Sequence, residues 1–221
     1  MKRWRPPLIE DEKALDRVVF FSDAVFAIAM TLLGVELRVP LLRAGLTLHE
    51  ENRALAHALA GLGSELYSFA LTFFVLGTFW MAHHRKFRLI RRYDDRLLWL
   101  NLAFLFFVAF VPFPTAVLGR YGGQVGTIFY ASTMAVTALL ALSITVYAYA
   151  GHRLIDPNVE DREIRHWIRR ASVGPVVFLV SIPLALLSTE AAHASWLLIF
   201  VGTFLLGRLY RRNGSPDYEE G

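Results

Sequence analysis

Residues 17–35 read RVVFFSDAVFAIAMTLLGV, and this stretch decides the class of fold. An Arg, a Ser and an Asp stand at its head, and no charge follows Asp23 until Glu36. With its flank the block runs to Val39 and stops at Pro40. About 20 apolar residues, rising 1.5 Å each in a helix, match a hydrocarbon core of about 30 Å. The block is therefore read as a transmembrane helix. The whole chain of 221 residues has the same character, with 55% hydrophobic and 14% aromatic residues, and the apolar ones are gathered in blocks rather than at amphipathic spacing.

Working outward, six spans are predicted: Arg17–Val39, Glu65–His84, Leu97–Leu118, Gly126–Ala150, Ala171–Thr189 and Ala191–Leu209. Nothing but STEAAHAS separates the last two, which implies a tight helical hairpin. With the N-terminus in the cytoplasm, 19 of the 23 Lys and Arg residues fall on the inner side and only Arg38, Arg43, Arg53 and Arg120 on the outer side. That bias supports six spans with both termini inside. The expected organisation is a cytoplasmic segment over 1–16, a transmembrane domain over 17–209 and a disordered polar tail over 210–221. The N-terminal residues carry no signal-peptide pattern.

Two connections carry local structure. Thr47 and Glu50 stand at capping-box spacing, so a short outer helix leads into the second span. The basic stretch from Asp156, with Pro157 and an embedded Trp167, reads as an inner interfacial helix running into the fifth.

The first span has two faces. At about 100° per residue, Ile28 shares a side with Phe21, Ala24, Thr31, Leu32 and Val35, and Arg17 lies near the same line. Asp23 is turned about 140° away and aligns with Ala27, Met30 and Gly34, small enough in part to admit a neighbouring helix. An acid inside a membrane needs partners. His83, His84 and Asn101 stand at similar depth in the second and third spans. Arg17, Ser22, Asp23, one of the two histidines and Asn101 are therefore expected to form a polar network. It serves either helix packing or proton and ion handling.

Composition excludes several functions. There is no cysteine, so disulfide, thiol and Cys-metal chemistry are absent. His83 and His84 are adjacent and point about 100° apart, which is unsuited to one metal. No nucleophile–base pair or phosphate loop is visible, so neither catalytic residues nor an enzyme are expected. The net charge of +4 lies at span ends, which points to membrane anchoring rather than nucleic acid.

The motif Arg17-x-x-x-Phe21-Ser22-Asp23 resembles the signature of the transmembrane protein 175 family of potassium channels. FSDAVFAIAMTLL (21–33), SFALTFFVLGTFWMAHHRKF (68–87) and DDRLLWLNLAFLFFVAFVPFPTAVLG (94–119) resemble its prokaryotic branch. The resemblance implies an all-α membrane protein with six helices per subunit. It further implies a homotetramer in a prokaryotic plasma membrane, with the first helix lining an axial pore. It places the hydrophobic constriction at Ile28, with Leu32 and Val35 as further pore positions, and a selectivity role at Thr31. The chain departs from relatives at Gly34, where they are often bulkier.

On this view the partners are further copies of the chain, the lipid bilayer and monovalent cations. No cofactor is expected beyond the permeant potassium ion. The TVGYG carbonyl filter of common potassium channels is missing, so selectivity would rest on side chains. Arg17 near the inner mouth would repel cations unless Asp23 of a neighbouring helix, Asp94 or Asp95 neutralised it. Glu36, Glu50 and Glu51 could concentrate cations outside or simply be solvated. The alternatives are a proton channel or proton-coupled transporter with an Asp/His relay, and a non-conducting scaffold.

Overall fold

Each apolar block folds as one helix or as two helices in line, because inside a membrane the backbone must satisfy its own hydrogen bonds. A computed structural model describes residues 8, 9 and 11–212. Among these the helices are α1 (Glu12–Val35), α2 (Leu48–Gly61), α3 (Gly63–Leu89), α4 (Asp95–Phe110), α5 (Pro112–Tyr121), α6 (Gln124–Tyr149), α7 (Asp161–Leu187), α8 (Thr189–Trp196) and α9 (Leu198–Arg212). Six units are long and apolar enough to cross a bilayer: Lys13–Val35, Gly63–Leu89, Asp95–Tyr121, Gln124–His152, Asp161–Leu187 and Thr189–Tyr210.

The boundaries move at both ends of the first span. Asp11 caps α1 by accepting from the Ala14 amide at 3.1 Å, so the helix begins more than a turn before Arg17, inside the segment read as non-membrane. It ends at Val35, not Val39. The N-terminal expectation over 1–7 and at 10 lies outside the described residues, as does that for the tail over 213–221, while residues 210–212, expected to be disordered, continue α9 as its last turn.

The third span is jointed. Val111 keeps helical dihedrals, but Pro112 supplies no amide, so α4 gives way to α5 without a loop. Gly122, at φ +54°, then reverses the chain into α6. The basic stretch after Asp156 is continuous with the fifth span as α7, and Ser188 alone connects it to α8, whose Ala191 amide it caps at 3.1 Å. Helix α2 carries the full capping box: Glu50 accepts from the Thr47 amide at 2.9 Å and from its hydroxyl at 2.7 Å. That hydroxyl, followed by the amide, holds the Glu50 carboxyl below the usual carboxylate range.

The core centres on α6, where Tyr130, Ala131, Met134 and Ala138 are buried against Phe178 of α7 and Trp196 of α8. Helix α5 packs tightly on α3 at Gly119: a Cβ there would stand 2.5 Å from Ser68 Oγ and 3.0 Å from Glu65 Cα. Backbone cannot yield as a side-chain tip can. Gly119→Ala is therefore expected to cost about 1–3 kcal/mol, read as a lowered unfolding midpoint in detergent.

At the Arg-rich end, backbone bonds tie three segments together. Ile9 pairs with Tyr93, and the Arg91 amide donates to Leu154 O at 2.8 Å. This floor fixes the depth at which α1, α3 and α4 meet.

Candidate functional site

Helix α1 docks on α3 and α4 through one stripe. Ser22, Phe26, Ala29 and Leu33, spaced at helical intervals, are all buried. This corrects the expected packing face. The line of Asp23, Ala27, Met30 and Gly34 is not the buried side: Ala27 and Gly34 are exposed, and Asp23 and Met30 are half-buried at its edge. A Cβ on Gly34 would meet only Phe69, at 3.9 Å, so no close approach requires that glycine.

The opposite face is uncovered. Phe21, Ala24, Ile28, Thr31, Leu32 and Val35 are exposed, with Ile28 at 59%, Leu32 at 43% and Val35 at 72%. The stripe is about 21 Å long by helical rise. Thr31 donates its hydroxyl hydrogen to the Ile28 carbonyl at 2.9 Å. The lone pairs of its oxygen stay available for a cation, because the hydrogen is turned back onto the helix.

Behind this face lies a hydrogen-bonded chain through three helices. Ser22 donates to Val18 O at 2.8 Å, so its oxygen accepts from Asn101 Nδ2 at 3.1 Å. That orientation presents Asn101 Oδ1 to His83 Nε2 at 2.9 Å, and the histidine nitrogen is the donor. Phe87, Phe104 and Phe26 surround the His83 ring, with centroids 4.3, 5.8 and 5.9 Å away. His83 Nδ1 is buried without a partner among the described residues.

The expected network is therefore split. Ser22, His83 and Asn101 come together. Asp23 does not join them but accepts from Trp80 Nε1 at 2.9 Å. His84 stays outside, half-buried with its ring 6.0 Å from that of Trp80. Arg17 is exposed and makes no hydrogen bond or ion pair with another described residue. Its proposed neutraliser Asp94 is committed elsewhere: fully buried, it caps Leu97 of α4 at 2.9 Å, accepts from Tyr147 at 2.6 Å and pairs with Arg153 at 3.0 Å. Asp95 remains exposed. Glu50 is held in its capping box, and Glu36 lines a cavity of about 340 Å³ with Glu65, Arg38 and Arg120. Among the described residues no group of three or more metal-ligating side chains occurs.

Trp80 and the Asp94–Tyr147–Arg153 cluster escaped the sequence reading. A signal for Trp80 was present, since it stands three residues before His83 and so on the same side of α3.

Asn101→Leu would leave the His83 and Ser22 groups buried without their partner. A loss of about 2–3 kcal/mol is expected, read as unfolding midpoint, with Asn101→Asp or Asn101→Gln recovering part of it.

The pattern described as endosomal/lysosomal potassium channel TMEM175 matches residues 17–112. The chain is 33% identical over 185 residues to a potassium channel of Streptomyces collinus, covering 80% of this chain and 86% of that one. It is 25% identical over 148 residues to the endosomal/lysosomal proton channel TMEM175 of Danio rerio, covering 66% of this chain but 27% of that protein. The crystal structure of a lysosomal potassium-selective channel TMEM175 homolog from Chamaesiphon minutus superposes with a TM-score of 0.74 at 27% identity. The match covers 88% of this chain and 98% of that one.

Proposed function

This chain belongs to the TMEM175 family, and from that premise we propose that it is a potassium-permeable cation channel working as a homotetramer. Four α1 helices surround the axis. Rings of Ile28, Leu32 and Val35 narrow the path, and Thr31 oxygens stand beside the Ile28 ring. Both termini face the cytoplasm of a prokaryotic cell, the pore sits in the plasma membrane, and the protein carries out no catalysis.

One observation carries this reading: an apolar stripe centred on Ile28 is left uncovered on the helix whose other side is buried. One helix cannot enclose a path, whereas identical helices around a symmetry axis can. A tight apolar ring resists wetting and sets a barrier for every ion. Potassium sheds hydration water at lower cost than sodium, so the ring favours potassium. The Thr31 oxygens, with their hydrogens turned back, replace part of the lost hydration. Selectivity of this kind is weaker than that of ordered carbonyls.

The test is potassium flux from liposomes holding purified protein, together with cross-linking in detergent. Flux that follows the potassium gradient, and a four-subunit species, are expected; folded protein without flux sinks the proposal. The Danio relative motivates a second arm, proton flux without potassium. The Asp23 carboxylate bonds to an indole rather than to a histidine, which disfavours a direct relay. Proton flux abolished by Asp23→Asn would establish the relay instead.

A further inference from the structure

A second site stands on the far side of α3 from α1. Toward the Arg-rich end, residues of α3, α7 and α9, with Ala138 and Ala141 of α6, line a cavity of about 120 Å³. Its upper end is closed where Phe79 approaches Gly174, whose added Cβ would lie 3.6 Å from the ring. Small and apolar side chains line its middle, and Ala82 at its lip is exposed. Trp167 and Arg170 lie at the basic end.

Lys86 faces this cavity and is only 7% exposed. Its ammonium has three N–H donors. Among the described residues one acceptor meets it, Ala141 O at 2.7 Å, and that carbonyl is shared with the Thr145 hydroxyl at 3.0 Å. No described carboxylate pairs with it. A buried cation ordinarily has a counter-charge. Here no described residue supplies one, Arg85 is the adjacent cation on the same lining, and the space beside them is mainly apolar, with Thr78, Thr145 and Thr203 among the lining side chains.

We propose that this cleft binds an anionic membrane phospholipid. Its phosphate lies against Lys86 and Arg85, and one acyl chain lies between α3 and α7. Charge complementarity selects the headgroup, and the apolar wall selects a lipid over a free ion. The position at the basic end of the bundle places the headgroup in the leaflet where the positive charges of the chain collect. A Trp at that depth is the residue type enriched at the membrane interface. Binding at this site can be read without any ion flux, so the test stands apart from that of conduction.

The test uses the full-length protein in detergent, with lipid binding read by native mass spectrometry and by unfolding midpoint. Phosphatidylglycerol, phosphatidylcholine and inorganic phosphate are titrated at matched ionic strength. Phosphatidylglycerol is expected to bind and to raise the midpoint, and the other two to do neither. Lys86→Gln should weaken phosphatidylglycerol binding at least about tenfold, the effect of losing one charge-assisted hydrogen bond. Ala82→Trp, which fills the lip and keeps both cations, should weaken it similarly and guards against a folding defect in Lys86→Gln. Arg120→Gln, at the opposite end, should bind as wild type does. Equal binding of the two lipids, wild-type affinity in both cleft variants, or equal stabilisation by phosphate alone each overturns the proposal.

Discussion

Replacing Ile28 with asparagine is expected to raise single-channel current about tenfold and to bring the potassium-to-sodium permeability ratio close to unity. An amide ring wets readily, so in the proposed tetramer the barrier set by four Ile28 side chains should collapse. About 1.4 kcal/mol off that barrier is already a tenfold change in rate. Ile28→Ala should widen the ring and lose selectivity with a smaller gain in current, while Ile28→Val should change little. The exposure of Ile28 in the subunit makes this a clean experiment. The side chain is 59% exposed and the core lies on the other face, so substitution should leave subunit stability within about 0.5 kcal/mol. Bilayer recordings of both variants, with an unfolding midpoint as control, decide the matter. Unchanged current and unchanged permeability ratio in Ile28→Asn would remove Ile28 from the pore.

Asp94→Ala is expected to cost about 3–5 kcal/mol of stability, the range found when one partner of a buried ion pair is deleted. Three losses coincide there. The Leu97 amide loses its cap, the Tyr147 hydroxyl loses its acceptor, and Arg153 loses this carboxylate. The carboxylate is fully buried, so water does not readily replace it. Asp94→Asn keeps an oxygen for the cap or for the tyrosine but removes the charge, and an intermediate loss is expected. Asp95→Ala, at an exposed neighbouring position, should be nearly neutral. Unfolding midpoints of the three variants in one detergent test this. A near-neutral Asp94→Ala would mean that the cluster is dispensable.

The cluster also bears on how the inner mouth of the proposed channel would handle charge. Asp94 belongs to the joint between α4 and α6, not to α1, so it does not offset a ring of Arg17 side chains. In the proposed tetramer Arg17 therefore stands at the inner end of the pore helix with no described carboxylate of its own subunit bonded to it.

Local features were legible before any coordinates. Hydropathy marked all six spans, because length and apolar character are properties of contiguous residues. Thr47 and Glu50 announced a capping box, because its two partners are three residues apart. Helical periodicity separated the Ile28 face from the rest of α1, and that face is the one left uncovered. The angle count could not say which remaining side would be buried. It favoured the line of Asp23, whereas the neighbouring helices took the line of Ser22 and Phe26.

The remainder depended on how helices far apart in the chain are rotated and set in depth. Asp23 meets Trp80, 57 residues away, Ser22 meets Asn101, 79 away, and Asp94 meets Tyr147, 53 away. A helix rotation of one residue, about 100°, would exchange any of these partners, and spacing within a single span does not set that rotation. Packing of Phe26, Leu33, Leu97 and Phe104, together with the backbone ties at the basic end, sets it. The chain text thus settled which segments cross the membrane and which face of α1 is apolar and unbroken, since both follow from neighbours in sequence. Tertiary packing alone decided that the acid bonds to an indole, that the serine completes the histidine chain and that Lys86 is buried beside a cleft lined by α3, α6, α7 and α9, since hydrogen bonds across helices require their relative rotation and depth.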